Sequence, residues 1–195
     1  MKPNPWQTLA AAAFLFLAFI AIDASATSVV PLDLDQITAS AQHIVHVRCT
    51  GNEAQPDPAV GIVTVTTFVV LDRAKGAASP TFTVRQAGGE LNGLAINYHV
   101  PKFAAGSEYV LFMPASSRLG LASPVGLSQG AFEVVQGASG KEVGNGNDFG
   151  KLLGGANSAS VPAGVAARMQ GSPAERARVD LAEFMTLVRT KAGPN

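Results

Sequence analysis

The run Ile62-Val63-Thr64-Val65-Thr66-Thr67-Phe68-Val69-Val70-Leu71 constrains this chain more than any other feature. It contains no Gly, Pro or charge, and Val and Thr dominate it. Branching at Cβ stiffens the side chain and suits a pleated surface, so the run predicts a central β-strand. Shorter runs of similar character flank it. Ile44–Cys49, Thr81–Arg85, Leu94–Val100 and Tyr109–Met113 each read as strands, and Pro114 stops the last of these. One more strand is expected within Leu119–Leu127, and Ala131–Val135 is expected to be the final one. Asn52 to Gly61, with Pro56, Asp57 and Pro58, reads as a loop. Lys75-Gly76, Gly88-Gly89 and Asn92-Gly93 punctuate the rest. Five to seven short strands with glycine-rich connections predict an antiparallel sheet, closed or nearly closed so that few edges are exposed.

Helices are expected at both ends of this β region. Asp33 and Gln36 form a capping-box pattern ahead of Leu34, Ile37 and Ala41, which share one helical face. Ser172-Pro173-Ala174-Glu175 has a capping Ser, a first-turn Pro and a reciprocal Glu. Ala177, Leu181, Phe184 and Val188 then recur at helical spacing, predicting an amphipathic helix over residues 172–190 docked on the chain's own core. Residues 137–171 are rich in Gly, Ala, Ser and Asn, and read as a flexible segment.

The N-terminus reads as an address. Lys2 precedes an uncharged apolar run, Leu9–Ile22, that ends at Ala24-Ser25-Ala26. That order predicts a signal peptide over residues 1–26, cleaved after Ala26, and a periplasmic or extracellular product. The run is shorter than the ~20 residues a spanning helix needs, so no membrane attachment is expected after cleavage. Lys plus Arg number 14 and Asp plus Glu number 14, so there is no basic excess for nucleic-acid phosphates. The single Cys, Cys49, can build neither an internal disulfide nor a Cys-rich zinc site.

Each chemical motif has a plainer reading. Gly126-Leu127-Ser128-Gln129-Gly130 matches the G-x-S-x-G nucleophile pattern, but a strand follows it and no His comes after His99. A glycine-bounded turn is the expectation. His43 and His46 could join His99 around a metal, but on a strand residues three apart face opposite ways. For the same reason His46 is not expected to serve Cys49 as a base. Gly144-Asn145-Gly146-Asn147-Asp148 resembles half of one calcium-binding nonapeptide, without the stacked copies such sites need. No catalytic residue, metal site or cofactor is therefore expected.

From Ala41 to Val135 the punctuation forms an ordered series. Ala41-Gln42-His43-Ile44-Val45 leads to Thr64-Val65-Thr66-Thr67-Phe68-Val69-Val70, Lys75-Gly76 and Gly88-Gly89, then Phe103 to Phe112 and Gly126 to Phe132. This series resembles small exported bacterial proteins of uncharacterised function. It is similar, more distantly, to the netrin-like domain of tissue inhibitors of metalloproteinases. The resemblance implies a mainly β fold, a small antiparallel OB-like barrel over residues 27–136. Gln42 departs from the acid usual there. The inhibitors' N-terminal zinc-chelating Cys has no counterpart, since Cys49 is internal. The expected function is a non-enzymatic exported module binding a protein, peptide or glycan. A secreted-protease inhibitor or accessory protein, and a metal enzyme using His43, His46 and His99, are the alternatives. Loop position nominates Arg85, Gly88, Gly89 and Gln129 as the binding residues.

Overall fold

The structure, a computed structural model, describes residues 30–76, 79–154, 161–173 and 175–193, so the expected signal peptide lies outside the described residues. Helix α1 spans Leu34–Ser40. Asp33 Oδ1 accepts the Gln36 N–H at 2.8 Å and Gln36 Oε1 accepts the Asp33 N–H at 3.0 Å, the expected capping box. Leu34, Ile37 and Ala41 are all buried.

Two long strands, β1 (His43–Asp57) and β2 (Gly61–Lys75), form an antiparallel hairpin. The expected loop from Asn52 to Gly61 thus shrinks to its last few residues. Pro56 is tolerated because of its register. It pairs with Ile62, whose carbonyl accepts from Gly88 on the other side of β2, so the absent Pro56 N–H is not owed to β2. Asp57 Oδ1 then closes the turn on the N–H groups of Ala59 and Val60, at 2.9 and 3.2 Å. Irregularities after Ile44, His46 and Cys49 bend β1.

Strands β3 (Thr81–Ala87), β4 (Gly89–Leu91), β5 (Leu94–Ile96), β6 (Glu108–Met113) and β7 (Ala131–Gln136) follow. Two more, β8 (Lys141–Gly144) and β9 (Val179–Asp180), come after the strand expected to be last. The main sheet is antiparallel, in the order β3-β2-β1-β6-β7-β8-β9, while β4 and β5 form a separate hairpin. The expected strand within Leu119–Leu127 is absent. That segment makes tight turns, with Ser117 N–H donating to the Leu121 carbonyl at 2.8 Å, and ends in a 3-10 turn at Leu127–Gly130. The strand expected over Leu94–Val100 stops at Ile96.

The flexible segment expected over residues 137–171 instead contains β8, helix α2 (Phe149–Leu152) and helix α3 (Ala163–Met169). Sparse apolar residues order it, because Val143, Phe149, Leu152 and Val165 all reach the core. Helix α4 covers Leu181–Ala192, eight residues beyond the expected start at Pro173. Asp180 caps it, accepting the Glu183 N–H at 3.0 Å. The reciprocal pair foreseen at Ser172 and Glu175 does form, with Glu175 Oε2 accepting from Ser172 N at 2.7 Å, but it closes a 3-10 turn at Glu175–Ala177.

Both faces of the sheet are buried. Val110 and Phe112 of β6 point to one face, where α1, α2, α3 and α4 pack. Phe184 of α4 lies 5.0 Å from Phe132 and 5.7 Å from Phe149, ring centre to ring centre. Tyr109, Leu111 and Met113 point to the other face with Val45, Val47, Cys49, Phe68 and Val84. Among the described residues no helix packs on this second core. Phe103, from the connection between β5 and β6, closes it edge-on against Phe68 and Tyr109, at 5.3 and 5.1 Å. Among the described residues no helix is long and apolar enough to cross a membrane.

Candidate functional site

The face without helices among the described residues carries two of the chain's concave surfaces. The chain from Asn97 to Phe103 lies across it as a strap. Asn97 Oδ1 accepts the His99 N–H at 2.8 Å, and His99 adopts φ +56°. That left-handed backbone is uncommon for a residue with a Cβ. The strap is anchored at Phe103, whose carbonyl accepts Asn52 Nδ2–H at 2.8 Å, while Asn52 Oδ1 accepts the Thr66 hydroxyl at 2.7 Å.

A groove of about 570 Å³ lies on one side of the strap. Asn52 and Ala54 of β1, Thr64 of β2, Gln86 of β3, the Gly88-Gly89 turn and Tyr98 line it. Tyr98 is 50% exposed. The β1 edge is part of this wall. Ile62 turns its carbonyl to β3, so by alternation Asn52 and Ala54 point their N–H and C=O groups away from β2. Strand β6 pairs with β1 only through Arg48, leaving this stretch as open edge among the described residues.

On the strap's other side lies a pocket of about 720 Å³. Pro101, Lys102 and Phe103 belong to both. Tyr109, Ala131, Glu133, Gly144, Ser128, Asn145 and Arg178 also border it.

The four nominated residues are not brought together. Gly88 and Gly89 line the groove and are needed for it. A Cβ on Gly88 would lie 2.7 Å from the Ile96 carbonyl oxygen, and one on Gly89 would lie 2.5 Å from Thr64 Oγ1. Their φ values of +93° and +140° also exclude ordinary side chains. Arg85 is a clasp, its Nη2 donating to Asp57 Oδ2 at 3.1 Å and its Nη1 to the Leu119 carbonyl at 3.3 Å. Gln129 is also structural, its Oε1 accepting the Leu32 N–H at 2.7 Å and its carbonyl accepting Asn145 Nδ2–H at 2.8 Å. Asn52, Gln86, Tyr98, Lys102 and Arg178 were not foreseen. The only sequence signal for them is Tyr98 beside His99 after an Asn-Gly turn, one of just two tyrosines.

The histidines separate. His43 packs edge-on against Phe82 at 5.8 Å, and His99 sits on the strap. His46 is buried, and its Nε2–H donates to Glu108 Oε2 at 2.9 Å. Glu108 also accepts from Arg48 Nη2 at 2.8 Å and from Lys141 Nζ at 2.7 and 2.9 Å. Burial pushes the Glu108 carboxyl up, but the bonds from Lys141, Arg48 and His46 outweigh it and hold it at about 2. Burial lowers the His46 pKa, against the opposing pull of the Glu108 carboxylate. This hub borders a balanced pocket of about 340 Å³ with Asp72, Lys141, Asp180 and Arg189. No group of three or more His, Cys, Asp or Glu among the described residues could hold a metal ion. Cys49 packs with Val45 and Val47, on the face opposite Ile44, and burial raises its thiol pKa. Ser128 lies in the 3-10 turn before β7, with no strand-to-helix elbow. No protein-family model matches the chain, and comparison with curated proteins finds no significant match.

Proposed function

We propose that this chain is an exported, non-enzymatic binding module that takes an extended, uncharged peptide segment in the groove beneath Tyr98. One observation carries the reading. The open β1 edge at Asn52 and Ala54 lines a groove, so its backbone groups are placed to pair with an incoming strand. One acid, Glu90, and one base, Lys102, balance in an otherwise neutral lining, and Tyr98 offers an exposed ring for apolar contact. The antiparallel order β3-β2-β1-β6-β7 supports an OB-like barrel, with β8 and β9 extending the sheet beyond β7 and Ala122 N–H donating to the Arg85 carbonyl at 2.9 Å on the free side of β3. Export rests on the N-terminal sequence pattern.

The test is an array of uncharged peptides and an array of neutral glycans, probed with the protein. Peptide hits should slow hydrogen exchange at the Asn52 and Ala54 amides. Ala54→Pro, which removes one outward N–H without touching a β2 bond, should weaken them about tenfold. Binding of glycans alone, or unchanged exchange at both amides, overturns the reading.

A further inference from the structure

The 720 Å³ pocket holds a different chemistry from the groove. Its floor is one rung across three strands, Tyr109 of β6, Glu133 of β7 and Gly144 of β8. Gly144 is bare for a reason. A Cβ there would lie 2.4 Å from the Ala177 carbonyl oxygen and 2.9 Å from Arg178 Cγ. The missing side chain lets the Ala177-Arg178 segment lie down on β8, which brings the Arg178 stem to the pocket wall. Lys102 enters from the strap opposite.

Neither cation is well neutralised. Lys102 makes no ion pair among the described residues, and Arg178 meets only Glu133, at 3.9 Å. Two other cations are paired more closely. Arg168 meets Glu142 at 2.6 Å and Lys141 meets Glu108 at 2.7 Å. Two cations against one loosely held acid leave the pocket with a positive excess. Pro101, Phe103, Tyr109, Ala131 and Ala177 give it apolar or aromatic walls, and Ser128 and Asn145 add neutral polar groups.

We infer that this pocket is a second binding site, for a carboxylate carried on an apolar body, with Lys102 and Arg178 receiving the carboxylate. A guanidinium matches a carboxylate in shape, and an ammonium adds a point charge. Pro101, Ala131 and Ala177, all half-buried, supply surface for the apolar part, above the buried rings of Phe103 and Tyr109. Glu133 competes with the ligand for Arg178, which keeps the empty pocket from holding small anions tightly. Lys102 is shared with the groove, but Arg178, Glu133, Ser128 and Asn145 line this pocket and not the groove, so the site does not depend on the peptide reading.

The protein has two tyrosines, Tyr98 at the groove and Tyr109 in this pocket. Labelling tyrosine with carbon-13 therefore separates the two sites in one spectrum. The probes are N-acetyl-Ala-Phe with a free carboxylate, its C-terminal amide, a doubly capped Glu-Phe dipeptide, and inorganic phosphate. The free acid should move the Tyr109 signal and leave Tyr98 in place, and the amide should move neither. The capped Glu-Phe arm distinguishes a side-chain carboxylate from a chain terminus. Lys102→Gln and Arg178→Gln should each weaken the acid about three- to fivefold, as for a partly exposed charge pair, and Glu133→Gln should tighten it by a similar factor. Equal binding of acid and amide, binding of phosphate as tight as the acid, or insensitivity to all three substitutions overturns the assignment. Circular dichroism of each variant confirms that the fold is intact.

Discussion

The two faces of the sheet solve burial differently. On one, four helices among the described residues lay Leu34, Phe149, Val165, Phe184 and Val188 onto Phe112 and Phe132 in one continuous core. On the other, a single strap places Phe103 over Phe68 and Tyr109 and leaves a groove on one side and a pocket on the other. Helices shield a wide apolar area because each presents a full stripe. A strap of seven residues shields only what one aromatic ring can reach. The helix face therefore carries the wider core, and the strap face keeps open concave surface.

The contrast can be broken from either side. Phe184→Ala should have the largest effect, a loss of about 3–5 kcal/mol, because the ring is fully buried among three others. Urea unfolding measures it. A loss below 1 kcal/mol would mean that the helix layer is not the anchor. Glu108→Gln comes next, at about 2–3 kcal/mol, because the carboxylate accepts charged hydrogen bonds from Arg48 and Lys141. Its effect depends on pH. The Glu108 carboxyl sits at about 2 when folded, against an ordinary value of 4.5, so its stabilisation is complete above 4.5 and fades as pH falls towards 2. Acid titration should show a decline through that window in the wild type and a flatter curve in the variant.

Gly89→Ala tests the strap face. Backbone strain and the contact with Thr64 Oγ1 should cost about 1–2 kcal/mol, and the groove should lose its peptides. Retained binding with the same loss of stability would separate the turn from the site. Tyr98→Ala should change stability least, by under about 0.5 kcal/mol, because the ring is half exposed. It should still abolish capture on the peptide array. If it destabilises the chain as Phe184→Ala does, the division of labour between the faces fails.

Much of the strap face was illegible in the sequence. Strand content was readable because Val and Thr runs have the same preference wherever they lie, and α1 because its capping box is local. Pro56 marked a loop by the ordinary rule, yet its register puts the missing N–H on an open edge, and register is a property of two strands. Residues 137–171 looked too polar to order, but Val143, Phe149, Leu152 and Val165 needed only a core built by other elements. Arg85 and Gln129 fell on loops or their flanks, as binding residues often do, and turned out to hold loops together.

The sequence by itself determined the β-rich character, the first helix, the turn glycines and the opposite facing of His46 and Cys49, since each follows from local sterics or from a period of two. Only the tertiary structure decided which side of the sheet received the helices. It also drew Lys102 and Arg178, far apart in the chain, to one pocket. Pairing order and strap placement decide such meetings, because a side chain's neighbours across a fold depend on how the rest of the chain packs.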